Sequence, residues 1–508
     1  MPTVIRDLMS TPPVQAGGDD TLASVARRMA GANIGSVIIA DGGDVVGIVT
    51  ERDLLRAAAV DRDPATEPAR RWMTPSPDVL GPEEEAEVAW SSLSDHHYRH
   101  LPVMSGGDLV GVVSLRDLMG IARLRPADET SEEVPRGLEG VVVAETAVGD
   151  VRGLEGFFHY RQYSAVELAA HRSLEDVWYL MAEGDLPSRE ESVAFGARTP
   201  ALRPMPPGLA SQLPALARLG QPLDVLRTAV SVLGGELGWP PSHEGDEGAL
   251  AEQALQLCAV VPSVLTATYR LQQGLGVVPP RTDLGYAANY LWMLTGIEPT
   301  AIQARALEQY LILTVDHGFN SSTFTARVIT STGADLAAAI CGAIGALSGP
   351  LHGGAPSRAL DMLDAIGTPE RAEAWVRNAV EHSERIMGFG HRVYKTDDPR
   401  SLFLRDVARQ MEAPLVDFAT QVEQTVVDVL AELKPGRRLY ANVEFYAGVV
   451  MAACGIPRQM FTPTFASSRA IGWTAHVVEQ VAHNRLIRPA ARYVGPVPPQ
   501  PVPVLNPR

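Results

Sequence analysis

The chain has 508 residues, and at about 100–200 residues per domain it holds more than one domain. Hydrophobic residues make up 46% and charged residues 20%, which excludes a chain too polar to bury a core. With 60 acidic against 43 basic residues the net charge is −17, which disfavours nucleic acid or an anionic membrane as the main partner; local arginines can still take an anionic substrate.

Met1 to Ser10 carries Arg6 and Asp7 without a long apolar stretch, so no signal peptide is expected there. The first organised feature is an internal repeat. Met9, Gly47, Thr50 and Asp53 recur at a shift of 64 as Met73, Gly111, Ser114 and Asp117. The turn Asp41-Gly42-Gly43-Asp44 recurs as Ser105-Gly106-Gly107-Asp108, between apolar runs at 36–40 and 45–49, then at 101–104 and 109–113. Apolar runs around a Gly-Gly turn predict a hairpin. Each is preceded by a helical pattern (Leu22 to Met29; Ala86 to Leu93) and followed by one opening at the aspartate. A repeated strand–helix unit is hard to produce by chance.

Residues 123–136, with two prolines and clustered acids, read as a linker. From Gly137 helix-period patterns dominate, strongest at Ala301 to Val315 and at Arg371 to Met387, the latter expected to stop at Gly388. Gly153 to Tyr163 suits a small hairpin, and Leu336 to Leu351, too short and interrupted to span a bilayer, a buried helix. Residues 496–508 form a proline-rich tail. Cys258, Cys341 and Cys454 lie far apart, form no CxxC motif or disulfide framework, and fit a reducing, cytoplasmic compartment.

Three histidines sit in glycine-containing turns beside helices: His317 in DHGFNSST, His352 in GPLHGG and His391 in GFGHRVY. Glycines beside a histidine let a backbone or ligand approach it closely. Any one of them alone reads as a structural histidine; three in such loops point to a site. Arg400, Arg469 and Arg488 stand near Pro, Ser or Gly, where a guanidinium can grip a carboxylate at two points. Glu444 is an acid in an apolar run, and such an acid needs a partner or a task. GFGHRV half-matches a dinucleotide fingerprint but follows a helix and lacks the third glycine, so it is set aside; no P-loop sequence occurs.

The segments DHGFNSSTFTARVITSTGAD, GALSGPLHGGAPSRAL, MGFGHRVYKTDDPRS and NVEFYAGVV resemble citrate synthase, in that family's order, as do the opening GLEGVVVAETAVGDVRGLEGFFHYRQY and the closing SSRAIGWTAHVVEQ with IRP. The resemblance covers residues 137–495. It implies a mainly α-helical fold with large and small domains, a homodimer or higher homo-oligomer, and no metal or cofactor. It further implies that His317, His391, Arg400 and Arg469 hold oxaloacetate, with Arg488 reaching in from the other subunit. Glu444 would take a methyl proton from acetyl-CoA, His352 would donate to the thioester oxygen, and His391 would polarise and protonate the ketone. Arg392 and Lys395 flank the His391 loop and are candidates for CoA phosphates. Most of that family has aspartate where this chain has Glu444. The extra methylene adds about 1.5 Å, so either the backbone shifts to seat it or catalysis is impaired; intact motifs elsewhere favour the first. The nearest alternatives are 2-methylcitrate synthase, which uses propionyl-CoA, and a catalytically impaired nucleotide sensor.

The front repeat, residues 1–122 with units at about 1–60 and 65–122, resembles a pair of cystathionine-β-synthase (CBS) domains through GIVTERD and GVVSLRD. That resemblance implies an α/β module in which Thr50, Asp53, Ser114 and Asp117 contact an adenine nucleotide, ATP, ADP or AMP, as an effector. Read without it, the two aspartates are helix caps. His96, His97 and His100 lack further residues at metal-ligand spacing, so no metal is expected.

Overall fold

A computed structural model describes residues 4–32, 34–58, 63–86, 100–114, 117, 136–138, 140–350, 352, 355–382, 384–390, 394, 396–433, 439–496 and 498–499. The chain divides into two compact units, Met1–Val141 and Val142–Arg508.

In the first unit β1 (Gln15–Ala16) runs parallel to β2 (Ser36–Asp41), which pairs antiparallel with β3 (Asp44–Thr50), and β3 with β4 (Thr74–Pro75). The second repeat gives β5 (His100–Ser105) and β6 (Asp108–Ser114). Both predicted hairpins form. Each closes through two glycines with positive φ, 64° and 102° at Gly42 and Gly43, 62° and 98° at Gly106 and Gly107, the backbone a two-residue hairpin turn requires. The helix Leu22–Ala32 buries Leu22, Val25 and Met29 on one face.

The two apolar cores do not follow the repeat boundary in the sequence. Ile5 belongs to the core of the second repeat with Leu101, Val103 and Val113, and Ser10 bridges to Val112. Ala69, from the start of the second repeat, lies in the core of the first with Val37, Ile39 and Val49. The repeated Met and Gly explain each other. A Cβ at Gly47 would collide with the Met73 thioether, and one at Gly111 with that of Met9, so each methionine covers the strand glycine of the repeat whose core it joins.

The second unit opens with a small antiparallel sheet, β7 (Gly149–Arg152), β8 (Phe157–Tyr160) and β9 (Tyr163–Ser164), and is otherwise helical. At its centre the helix Glu247–Gln272 packs against Phe461–Ala482, Pro222–Glu236 and Tyr286–Thr295. Residues Gly248–Gln272 are long and apolar enough to cross a membrane, but 67% of their most apolar stretch is buried inside the fold, as a core helix requires. The helix Ser321–Ser331 packs along Leu336–Leu347 and against Phe461–Ala482. The helices Ala355–Ile366, Pro369–Glu381, Pro399–Gln410, Val416–Leu433 and Val443–Ala453 pack mainly on one another.

Two helix boundaries differ from expectation. The helix expected at 371–387 runs Pro369–Glu381, and Gly388 is not its cap. Instead Gly388 accepts the amide of Asn442, and Gly390 donates to Tyr440, so the loop pairs with the segment leading into the helix Val443–Ala453. The helix after β3 starts at Glu51, two residues before Asp53, because Thr50 is its cap. Most of the pattern Ala86–Leu93, the linker through residue 135 and the tail beyond 499 lie outside the described residues.

Candidate active site

Glu444 sits in the first turn of the helix Val443–Ala453, whose N-cap is Asn442; the Asn442 side chain accepts the Glu444 amide at 3.1 Å and donates to the Gly390 carbonyl at 3.0 Å. A helix N-terminus favours a negative charge. Burial outweighs it: the carboxyl is pushed up to about 7, by desolvation first, with Arg400 pulling down and Asp398 pushing up. Near neutral pH such a group both takes and gives a proton.

Arg400, at the start of the helix Pro399–Gln410, is buried against Asp398. Nε donates to Oδ1 at 3.0 Å and a terminal nitrogen to Oδ2 at 2.8 Å. Burial disfavours its charge, but Asp398 more than offsets this and holds the guanidinium above its ordinary range. Asp398 Oδ2 also accepts the Val443 amide at 3.0 Å. The Arg400 guanidinium lies 5.7 Å from the ring centres of both Phe158 and Tyr394. His317 joins the same group: Nε2 is 3.1 Å from the Tyr394 hydroxyl, and the ring is 5.6 Å from Phe158.

Arg469, on the helix Phe461–Ala482, is buried with Nε on the Thr314 carbonyl at 2.9 Å and its guanidinium 4.5 Å from the Phe465 ring centre. Burial lowers its affinity for a proton, while Asp316 and Tyr160 raise it. Gly472, on the same helix, has no room for a Cβ because the Val315 carbonyl occupies that space, which brings the helix hard against the turn carrying Asp316 and His317.

His352 is held by Ser322. Its Nε2 is 2.8 Å from the Ser322 hydroxyl, which also meets Asn320 Oδ1 at 2.7 Å and accepts the Trp473 indole N–H at 3.1 Å. One rotation of that hydroxyl, from Asn320 to His352, selects which ring nitrogen carries the proton. Burial, then Arg469, lowers the imidazole to about 4, so it is neutral at physiological pH.

Glu444, Arg400, Arg469, His317 and His352 are therefore linked by contact or by mutual charge effects. Arg488 stands apart, exposed on the segment after the helix Phe461–Ala482. His391, Arg392 and Lys395 lie outside the described residues. Sequence reasoning did not single out Phe158, Asp398, Ser322 or Tyr394. Asp398 was legible as the N-cap before Pro399; the others act through contacts between distant segments. Among the described residues no group of three or more His, Cys, Asp or Glu is placed to hold a metal ion.

In the first unit, Thr50 donates to Asp53 Oδ2 from its amide at 2.9 Å and its hydroxyl at 2.7 Å; Ser114 does the same to Asp117 at 2.8 and 2.6 Å. Both pairs are capping contacts of one geometry. Arg56 approaches Asp53 Oδ1 at 3.4 Å.

The family model for the citrate synthase C-terminal domain matches residues 137–490, and that for the CBS domain matches 5–60 and 69–123. A citrate synthase of Deinococcus radiodurans is 38% identical over 367 residues, 71% of this chain and 96% of the relative. A 2-methylcitrate synthase of Mycobacterium tuberculosis is also 38% identical, over 371 residues, 73% of this chain and 93% of the relative. Among solved structures, the ternary complex of citrate synthase from Thermoplasma acidophilum with carboxymethyl coenzyme A and oxaloacetate aligns at 29% identity with a TM-score of 0.68, covering 74% of this chain and 99% of that one. With its helical unit matched almost end to end and two CBS domains ahead of it, the chain belongs to the citrate synthase family.

Proposed function

We propose that the chain condenses acetyl-CoA with oxaloacetate to form citrate and CoA. One observation carries the reading: a carboxyl poised at about 7, Glu444, shares a site with two buried arginines and a histidine, His352, kept neutral by burial. An acetyl methyl group is a feeble acid, so its deprotonation needs a base and an oxygen-stabilising donor acting together. Glu444 takes the proton. His352, with the Ser322 hydroxyl turned to Nε2, donates from Nδ1 to the thioester oxygen as charge develops there. Arg400, Arg469 and His317 hold the carboxylates and carbonyl of oxaloacetate, with Arg488 supplied across a homodimer. His391 polarises the ketone that the enol carbon attacks, and citryl-CoA is then hydrolysed. Arg392 and Lys395 are assigned to CoA phosphates.

Thiol release from acetyl-CoA in the presence of oxaloacetate tests this, and its absence overturns it. The likeness to a 2-methylcitrate synthase supports a second reading, propionyl-CoA as the acyl donor. One methylene in an apolar pocket is worth about 1–3 kcal/mol, so kcat/KM for the two thioesters decides between them.

The CBS pair is assigned to an adenine nucleotide effector, on the strength of the twin Thr50–Asp53 and Ser114–Asp117 arrangements, the first of them at a helix N-terminus, where a phosphate is also favoured. Regulation requires that the nucleotide bind two states of the protein with different affinity. A change in condensation rate with ATP, ADP or AMP, lost on replacing Asp53 and Asp117 together, is the expected result.

A further inference from the structure

Between the helices Ser321–Ser331 and Phe461–Ala482 lies a buried polar chain that the chemistry above does not use. Arg327 is 4% exposed, His476 0% and Asp316 1%. Arg327 donates from Nε to Gln480 Oε1 at 2.9 Å and from one terminal nitrogen to Glu479 and to His476 Nδ1, the latter at 3.2 Å. A guanidinium has only donors, so Nδ1 of His476 must be the acceptor and its proton resides on Nε2. That N–H faces Asp316 Oδ1 at 3.3 Å.

Asp316 begins the turn that carries His317. Its second oxygen accepts the Gly318 amide at 3.1 Å, and Gly318 has φ +61°, a backbone that side chains rarely adopt. At the far end of the turn, Phe319 sets its ring edge-on to His476, 6.3 Å between centres, and beneath the Arg327 guanidinium at 5.5 Å. The Arg327–His476 pair therefore grips the turn on both sides of His317. Releasing Asp316 from His476 would leave a buried carboxylate short of a partner, which is strongly unfavourable, so the turn is not free to swing.

We propose that His476 is a positioning residue: tautomerically fixed by Arg327, it holds Asp316 and with it the turn that presents His317 to oxaloacetate. The inference rests on the condensation reading given above. Glutamine is the informative replacement, because its amide can donate to Asp316 while its oxygen accepts from Arg327; asparagine, one methylene shorter, cannot reach both partners, and leucine can do neither.

The test uses the full chain, with KM measured separately for oxaloacetate and for the acyl-CoA, and thermal melting to check folding. For His476→Leu and His476→Asn, KM for oxaloacetate is expected to rise about tenfold or more, since a displacement of about 1 Å in a binding group has effects of this size or larger. KM for acyl-CoA should stay within about twofold, and His476→Gln should restore most of the affinity for oxaloacetate, because the same polar contacts are kept. Equal shifts in both KM values, no shift, or failure of Gln to outperform Leu overturns the proposal. Loss of folding in both Leu and Asn variants assigns His476 to the scaffold and also overturns it. A wild-type chain without turnover removes the condensation reading itself, whereas an active wild type with an unaffected Leu variant removes this inference alone.

Discussion

Asp398 grips Arg400 through a two-point ion pair, Nε to Oδ1 at 3.0 Å and a terminal nitrogen to Oδ2 at 2.8 Å, and uses Oδ2 again to accept the Val443 amide at 3.0 Å. One buried carboxylate thereby ties Arg400 to the helix that carries Glu444. Its charge also raises the Glu444 carboxyl. Asp398→Asn should therefore move the acidic limb of kcat/KM to lower pH and raise KM for oxaloacetate, both read from steady-state rates between pH 5 and 9.

Glu444 must be ionised to accept a proton, and it ionises near pH 7. Activity is expected to climb through that region and to fall as the solution is acidified. Glu444→Gln should reduce condensation by about 10²–10⁴-fold, the usual contribution of a general base, while oxaloacetate still binds in calorimetry. Normal turnover in that variant would remove Glu444 from the base role.

The same shift carries a stability consequence. The folded-state value lies above the unfolded one, so the native protein holds this proton while the unfolded chain releases it between about pH 4.5 and pH 7. The contribution of Glu444 to stability is thus full in acid and lost as pH rises through 7. Glu444→Gln should melt higher than wild type at pH 8, by up to about 3 kcal/mol in unfolding free energy, with the difference vanishing toward pH 4.5.

His352 is lowered to about 4 and should contribute no titration of its own to the rate profile between pH 5 and 8. Its orientation depends on the Ser322 hydroxyl, which also receives the Trp473 indole. Ser322→Ala is expected to lower kcat about tenfold by loosening the ring, with a smaller effect on KM, and His352→Gln to lower kcat by about 10²–10³-fold through loss of the oxygen-stabilising donor.

In the CBS pair, Asp53→Ala and Asp117→Ala each remove a capping acceptor and should each cost about 1 kcal/mol of stability. Glu or Asn replacements that keep a cap separate that effect from nucleotide binding, measured by calorimetry with ATP, ADP and AMP. A nucleotide response that survives in the double alanine variant would count against the assigned contacts.

Local chemistry made much of the architecture readable in the sequence. Gly-Gly turns between apolar runs marked both hairpins, Thr300 and Gln303 cap the helix Ala301–Thr314 at its expected start, and the glycine-flanked His317 and His352 and the acid in an apolar run, Glu444, pointed to the candidate site, because each depends on residues a few positions apart. Tertiary structure decided what such spacing does not encode. The exchange of Ile5 and Ala69 between repeat cores, the role of Gly388 in a loop rather than a helix cap, the raised carboxyl of Glu444 and the Arg327–His476–Asp316 chain all join segments tens to hundreds of residues apart. They arise because burial removes water and forces each polar group to find its partner wherever the packing places one.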